Sequence, residues 1–139
     1  ERLVEIDRTL LVLRRDLAQL APGAVTLGPE VFSFLRAEGE GLARQDLRLE
    51  AGRLLRVLRA EEGGSVDQRL LGGVAGARWR LLDRGGRWRD SWPPAGQSEA
   101  EAPGAPPVAA ELTLRLDAPG QAEAADLVRL FALPGAAQR

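Results

Sequence analysis

Leu3, Ile6, Leu10, Leu13, Leu17 and Leu20 recur at alternating steps of three and four, the spacing that lines side chains along one stripe of an α-helix. The pattern predicts a helix over residues 1–21, ended by Pro22-Gly23, a pair that cannot continue it. Arg2, Glu5, Arg8, Arg15 and Asp16 fall largely off the stripe. Val4 and Leu11 lie beside the stripe, seven residues apart, and Val12 widens the apolar surface further. A helix that is apolar on more than one face commonly has a second partner. The alternative is that the stripe packs only on the protein's own sheet, which is the expectation for its second half.

After the helix the period changes to two. Val31 to Arg36 is rich in β-formers. Leu47 and Leu49 alternate with Arg48 and Glu50, and Ala51-Gly52 reads as the turn of a hairpin returning through Leu54 to Arg59. Ala77, Trp79 and Leu81 share one face of a strand over Gly76 to Asp83, with Gly85-Gly86 turning the chain towards Arg87-Trp88-Arg89. Leu112, Leu114 and Leu116 point inward from Glu111 to Asp117, and Asp126 to Leu133 supplies a returning strand. Residues 93–107 contain Pro, Ala, Gly, Glu and Ser and no large apolar side chain. With nothing to bury against its ordering entropy, this stretch is expected to be a flexible loop. The sum is an α+β chain: one N-terminal helix on antiparallel β-sheet, in a single domain over 1–139 with a β-rich part over 22–139. Leu10, Leu13, Leu17, Leu20, Trp79, Leu112, Leu114, Leu116 and Phe131 are the expected core.

Composition narrows the chemistry. The 139 residues include no His, Cys, Lys, Met or Tyr, and the formal net charge is −1. Triads built on Ser-His-Asp, Cys-His or Ser-Lys are therefore excluded, and borderline metals lose their preferred ligands. No loop carries a phosphate or dinucleotide fingerprint. Asp83 and Asp90, flanking a turn, are the one carboxylate pair worth weighing for acid–base work or an oxygen-ligand cation. Solvated turn residues are the better reading, and no catalytic residue, cofactor or metal is expected. No apolar run reaches the roughly eighteen residues of a membrane span.

The stretch from Arg78 to Trp92 interleaves Arg78, Arg80, Arg84, Arg87 and Arg89 with Trp79, Trp88 and Trp92. Such a mixture suits single-stranded nucleic acid. However, alternation sends Trp79 away from Arg78 and Arg80, and acidic residues elsewhere cancel the local charge. A structural face with Arg packed along Trp is the expectation, with no nucleic-acid partner.

Leu71-Gly72-Gly73-Val74, then Trp79-Arg80-Leu81-Leu82-Asp83, a Gly turn, Trp88 and finally Trp92-Pro93-Pro94 resemble the J-type minor pseudopilins of type II secretion systems. Arg14-Arg15-Asp16-Leu17 resembles that family's helix motif. Phe34-Leu35-Arg36-Ala37 and Leu54-Leu55-Arg56 are similar to its early strands, and Ala110 to Leu116 and Arg129 to Pro134 to its last two. The middle strands depart from it, with leucines where such proteins often carry aromatics.

The resemblance implies a non-enzymatic filament subunit that assembles with I- and K-type minor pseudopilins in a tip complex and meets secretion substrates. It also implies a periplasmic domain anchored in the inner membrane of a Gram-negative bacterium by an N-terminal helix lying before Glu1, in keeping with a chain that opens mid-pattern without Met. On this reading Val4, Arg8, Leu11 and Arg15 are the helix face that meets a neighbouring pseudopilin. The competing readings are a minor pilin of a type IV pilus and a periplasmic module binding a ligand, such as carbohydrate through Trp88 and Trp92.

Overall fold

The computed structural model describes residues 2–59, 63–94, 105–117 and 125–137. Helix α1 (Arg2–Ala18) is followed by β1 (Thr26–Leu27), β2 (Val31–Glu38), β3 (Gly41–Glu50), β4 (Arg53–Arg59) and β5 (Ser65–Leu71). These five strands form one antiparallel sheet in chain order. A second sheet, in the order β7-β6-β8-β9, contains β6 (Val74–Leu82), β7 (Trp88–Arg89), β8 (Ala109–Leu116) and β9 (Ala125–Ala132). A short 3-10 turn (Pro134–Ala137) closes the chain.

One face of the first sheet carries Phe32, Phe34, Leu47 and Leu54, all fully buried. The second sheet offers Trp79, Leu81, Leu112 and Leu114, and Phe131 joins them from β9. The ring centroids of Phe32 and Trp79 lie 5.1 Å apart, and those of Trp79 and Phe131 6.0 Å, within the range of favourable aromatic pairs. The helix adds Ile6, Leu13 and Leu17 to the same core. Leu10 and Leu116, expected inside, are only partly buried and pack against the core from its margin.

The helix ends at Ala18, before the expected boundary at 21. Gln19 and Leu20 donate to carbonyls three residues back, at 3.1 and 3.2 Å, and tighten the last turn. Pro22 biases Ala21 towards extended backbone. Residues 19–21 accordingly leave the helix and attach to β2: Ala21 N–H donates to the Leu35 carbonyl at 2.7 Å, and Ala37 N–H to that of Gln19 at 2.9 Å.

Strand β5 was not legible in the sequence. Its burial pattern is five exposed residues followed by a half-buried and a buried one, so no alternation marks it; backbone pairing to β4 holds it. Ala51-Gly52 does form the two-residue hairpin turn, with φ of 50° and 74°, both positive as a type I′ turn requires. Of the loop expected over 93–107, residues 95–104 lie outside the described residues. At its far end Pro107 is buried, and Val108 N–H donates to the Leu82 carbonyl at 2.9 Å.

Gly72-Gly73, the turn between the sheets, is shaped by the helix. Arg2 donates to the carbonyls of Gly72 and Gly73 at 2.8 and 3.0 Å. Gly73 has φ +63°, and a β-carbon there would sit 3.0 Å from the Arg2 guanidinium. Gly73→Ala is expected to cost about 1–2 kcal/mol from the left-handed backbone alone, with displacement of Arg2 in addition. A lowered urea midpoint at unchanged m-value is the result to look for.

Candidate partner-binding face

Helix α1 is about 25 Å long at 1.5 Å rise per residue, and its two sides differ in a way a simple stripe does not capture. The side facing the sheets buries Ile6, Thr9, Leu13, Asp16 and Leu17. The opposite side presents Val4, Arg8, Leu11 and Arg15, all exposed, the same four residues expected to form the partner face. Val4 is 50% and Leu11 57% exposed. Ala18, seven residues beyond Leu11, is exposed too. Val4, Leu11 and Ala18 thus form one apolar crest, since residues seven apart stay nearly aligned on an α-helix. Arg8 and Arg15 flank it with positive charge. Leu3, counted in the inner stripe, is instead 67% exposed on the first turn.

Asp16 is the main correction. Read from its spacing as lying off the inner stripe, it is 1% exposed. Arg56 donates to it through Nε at 2.6 Å and a terminal nitrogen at 2.7 Å, and Gln45 Nε2 donates at 2.7 Å. Arg56 also reaches Gln68 Oε1 at 2.8 Å. Arg56 shares its face of β4 with buried Leu54, so it arrives under the helix. Two segments that separately resembled the pseudopilin pattern, around Asp16 and around Arg56, are joined here by a two-pronged ion pair.

The other candidates resolve as structural features. Trp79 is buried in the core. Trp88 is capped by the Arg80 guanidinium, 5.1 Å from the ring, while Trp92 is half-buried and bridges to Leu27 by paired backbone hydrogen bonds of 3.0 Å. Together they do not make an open stacking platform for sugar or base.

Asp83 and Asp90 do not share a site. One Asp83 oxygen accepts from Arg87 N–H and the other from Arg89 Nε, both at 2.9 Å, whereas Asp90 is exposed beside a cleft of about 720 Å³ where the sheets separate. The cleft's apolar lining includes Leu27, Leu49, Ala77 and Trp79, and Glu30 and Arg78 also border it. Among the described residues no nucleophile and base converge there. Among the described residues no group of three or more potential ligands could hold a metal ion.

The Arg87 backbone N–H, then the Arg89 side chain, hold the Asp83 carboxyl below the ordinary carboxylate range. The hydrogen bond from Arg80 does the same for Glu111. Carboxylates with depressed folded values add stability above their unfolded pKa of about 4 and lose it as pH falls through the folded value. With no His, Cys, Lys or Tyr in the chain, no side chain ordinarily titrates between about pH 6 and 10. Unfolding midpoints should therefore be flat across that window and fall below about pH 4, as a series of thermal melts would show.

Residues 25–132 match the family described as type II secretion system protein J. The chain belongs to that family. The match spans both sheets and most of the chain, and the protein J assignment makes the domain a minor pseudopilin of type II secretion. It also decides against the type IV pilus reading. A solved structure, the GspK-GspI-GspJ complex from the enterotoxigenic Escherichia coli type 2 secretion system, contains a chain of similar fold. The TM-score is 0.69 at 22% identity, covering 96% of this chain and 97% of that one. That likeness supports the α+β pseudopilin fold of the protein J domain, helix included. Among the described residues no helix is long and apolar enough to cross a membrane.

Proposed function

We propose that this protein J domain is a non-catalytic subunit at the tip of the pseudopilus, joined to I- and K-type minor pseudopilins through the outer crest of α1. The observation that carries this reading is the exposure of Val4 and Leu11 on one line of a helix whose inner side is already satisfied. An apolar line flanked by Arg8 and Arg15 suits packing against another helix, where burial of apolar area stabilises by about 25 cal/mol per Å², offset by the cost of association. The partner identity is carried from the similar chain, which sits in a complex of K, I and J proteins.

The domain would work in the periplasm of a Gram-negative cell, held by an inner-membrane anchor as the family implies. There the tip complex would help secreted proteins cross the outer membrane. Size-exclusion chromatography with light scattering, on the domain mixed with the I- and K-type proteins of its own system, tests this. A complex of summed mass is expected; elution of three separate species would reject the assembly.

A further inference from the structure

The helix carries two lines of residues with period seven, and their polarity is inverted. The inner line is Arg2, Thr9 and Asp16; the outer is Val4, Leu11 and Ala18. At about 100° per residue, each outer member stands roughly 160° around the helix from the inner member two positions before it. Every member of the inner line is tied to a fixed point on the first sheet or the turn that ends it. Arg2 binds the carbonyls of Gly72 and Gly73. Thr9, 1% exposed, donates Oγ1 to the Leu70 carbonyl at 2.7 Å. The pairing of Leu54 with Leu71 and of Leu55 with Arg69 leaves Leu70 as the extra residue of a β-bulge. Asp16 takes the Arg56 fork and Gln45.

We propose that Arg2, Thr9 and Asp16 with Arg56 are positioning residues that lock the rotation of α1 and thereby aim the Val4–Leu11–Ala18 crest at a partner helix. Apolar burial is non-directional, so Ile6, Leu13 and Leu17 by themselves set the rotation of α1 less sharply than a polar contact does. A guanidinium–carboxylate fork is directional in distance and angle, and setting register is the best attested use of a buried ion pair. Asp16 stands on the side of α1 away from the crest and Arg56 reaches it from β4, so their effect on a partner passes through helix orientation alone.

The crest as a partner surface rests on the proposed function; the lock does not, and the test separates them. The chain has no Cys, so Arg8→Cys with Asp67→Cys, both exposed positions, gives one spin-label pair between helix crest and sheet. Distance distributions by pulsed electron resonance are read in three backgrounds: otherwise unchanged, Asp16→Leu/Arg56→Leu, and Thr9→Val. Replacing both charges with apolar side chains leaves no buried charge unpaired, at the loss of the acceptor for Gln45 Nε2, and Thr9→Val keeps the shape of the buried side chain.

A single narrow distance is expected in the parent, and a broadened or shifted distribution in both variants, with circular dichroism still that of the folded domain. If the crest-competent orientation falls to about a tenth of the population, partner affinity drops about tenfold in the variants without the labels. An unchanged narrow distance in folded variants would overturn the lock. Should the double variant fail to fold, Thr9→Val alone decides. A parent domain that ignores its I- and K-type proteins would reject the proposed function while leaving the distances to judge the lock.

Discussion

Asp16→Ala is expected to destabilise the domain by about 3–5 kcal/mol, the largest effect of any single substitution considered. The reason lies in what it leaves behind. Arg56 would retain a positive charge with its side chain only 15% exposed, its remaining side-chain hydrogen bond among the described residues being to Gln68. Gln45, 0% exposed, would lose the acceptor for its amide nitrogen while its Oε1 already has no donor among the described residues. Such networks are costly when half satisfied. The apolar double replacement Asp16→Leu/Arg56→Leu should recover part of the loss, because no residual charge remains, while Gln45 Nε2 still lacks its acceptor. Urea unfolding of the two variants beside the parent checks both statements. A loss below about 1 kcal/mol for Asp16→Ala would mean the pair is worth no more than a surface salt bridge.

The second large effect concerns binding. Leu11→Glu is expected to leave the midpoint of the isolated domain within about 0.5 kcal/mol of the parent, as surface substitutions usually do. It should weaken association with the I- and K-type proteins by tenfold or more. Leu11 is 57% exposed and stands on the side of α1 opposite Leu13 and Leu17, so the fold does not need it. In a helix pair it would be a central apolar contact, and a carboxylate there is penalised by the water it must give up even with Arg8 and Arg15 beside it. Calorimetric titration measures the loss. Collapse of thermal stability in the variant would place Leu11 in the core and remove the crest.

The sequence carried the architecture because period and turn chemistry agreed for most elements. Leu112, Leu114 and Leu116 announced β8, and Ala51-Gly52 announced its hairpin. Strand β5 escaped because an edge strand exposed on both faces over its first five residues has no alternation to read. The exposed apolar side of α1 was legible for a related reason: Val4 and Leu11 were too many apolar residues for one stripe.

Spacing left Asp16 off the inner stripe because an apolar period does not count a charged residue. Burial of a carboxylate depends on a cation delivered from 40 residues away. A signal was present, since Arg56 occupies an inward position between Leu54 and Leu58. An arginine on the apolar face of a strand asks for a carboxylate above it.

The most direct test of the central claim is hydrogen exchange of the domain, free and bound to its I- and K-type partners, read residue by residue by NMR. The account predicts new protection and shift changes centred on Val4, Arg8, Leu11 and Arg15, with the amides around Trp88, Trp92 and the inter-sheet cleft unaltered. A complex whose footprint falls on the sheets or the cleft, with α1 unchanged, would contradict it.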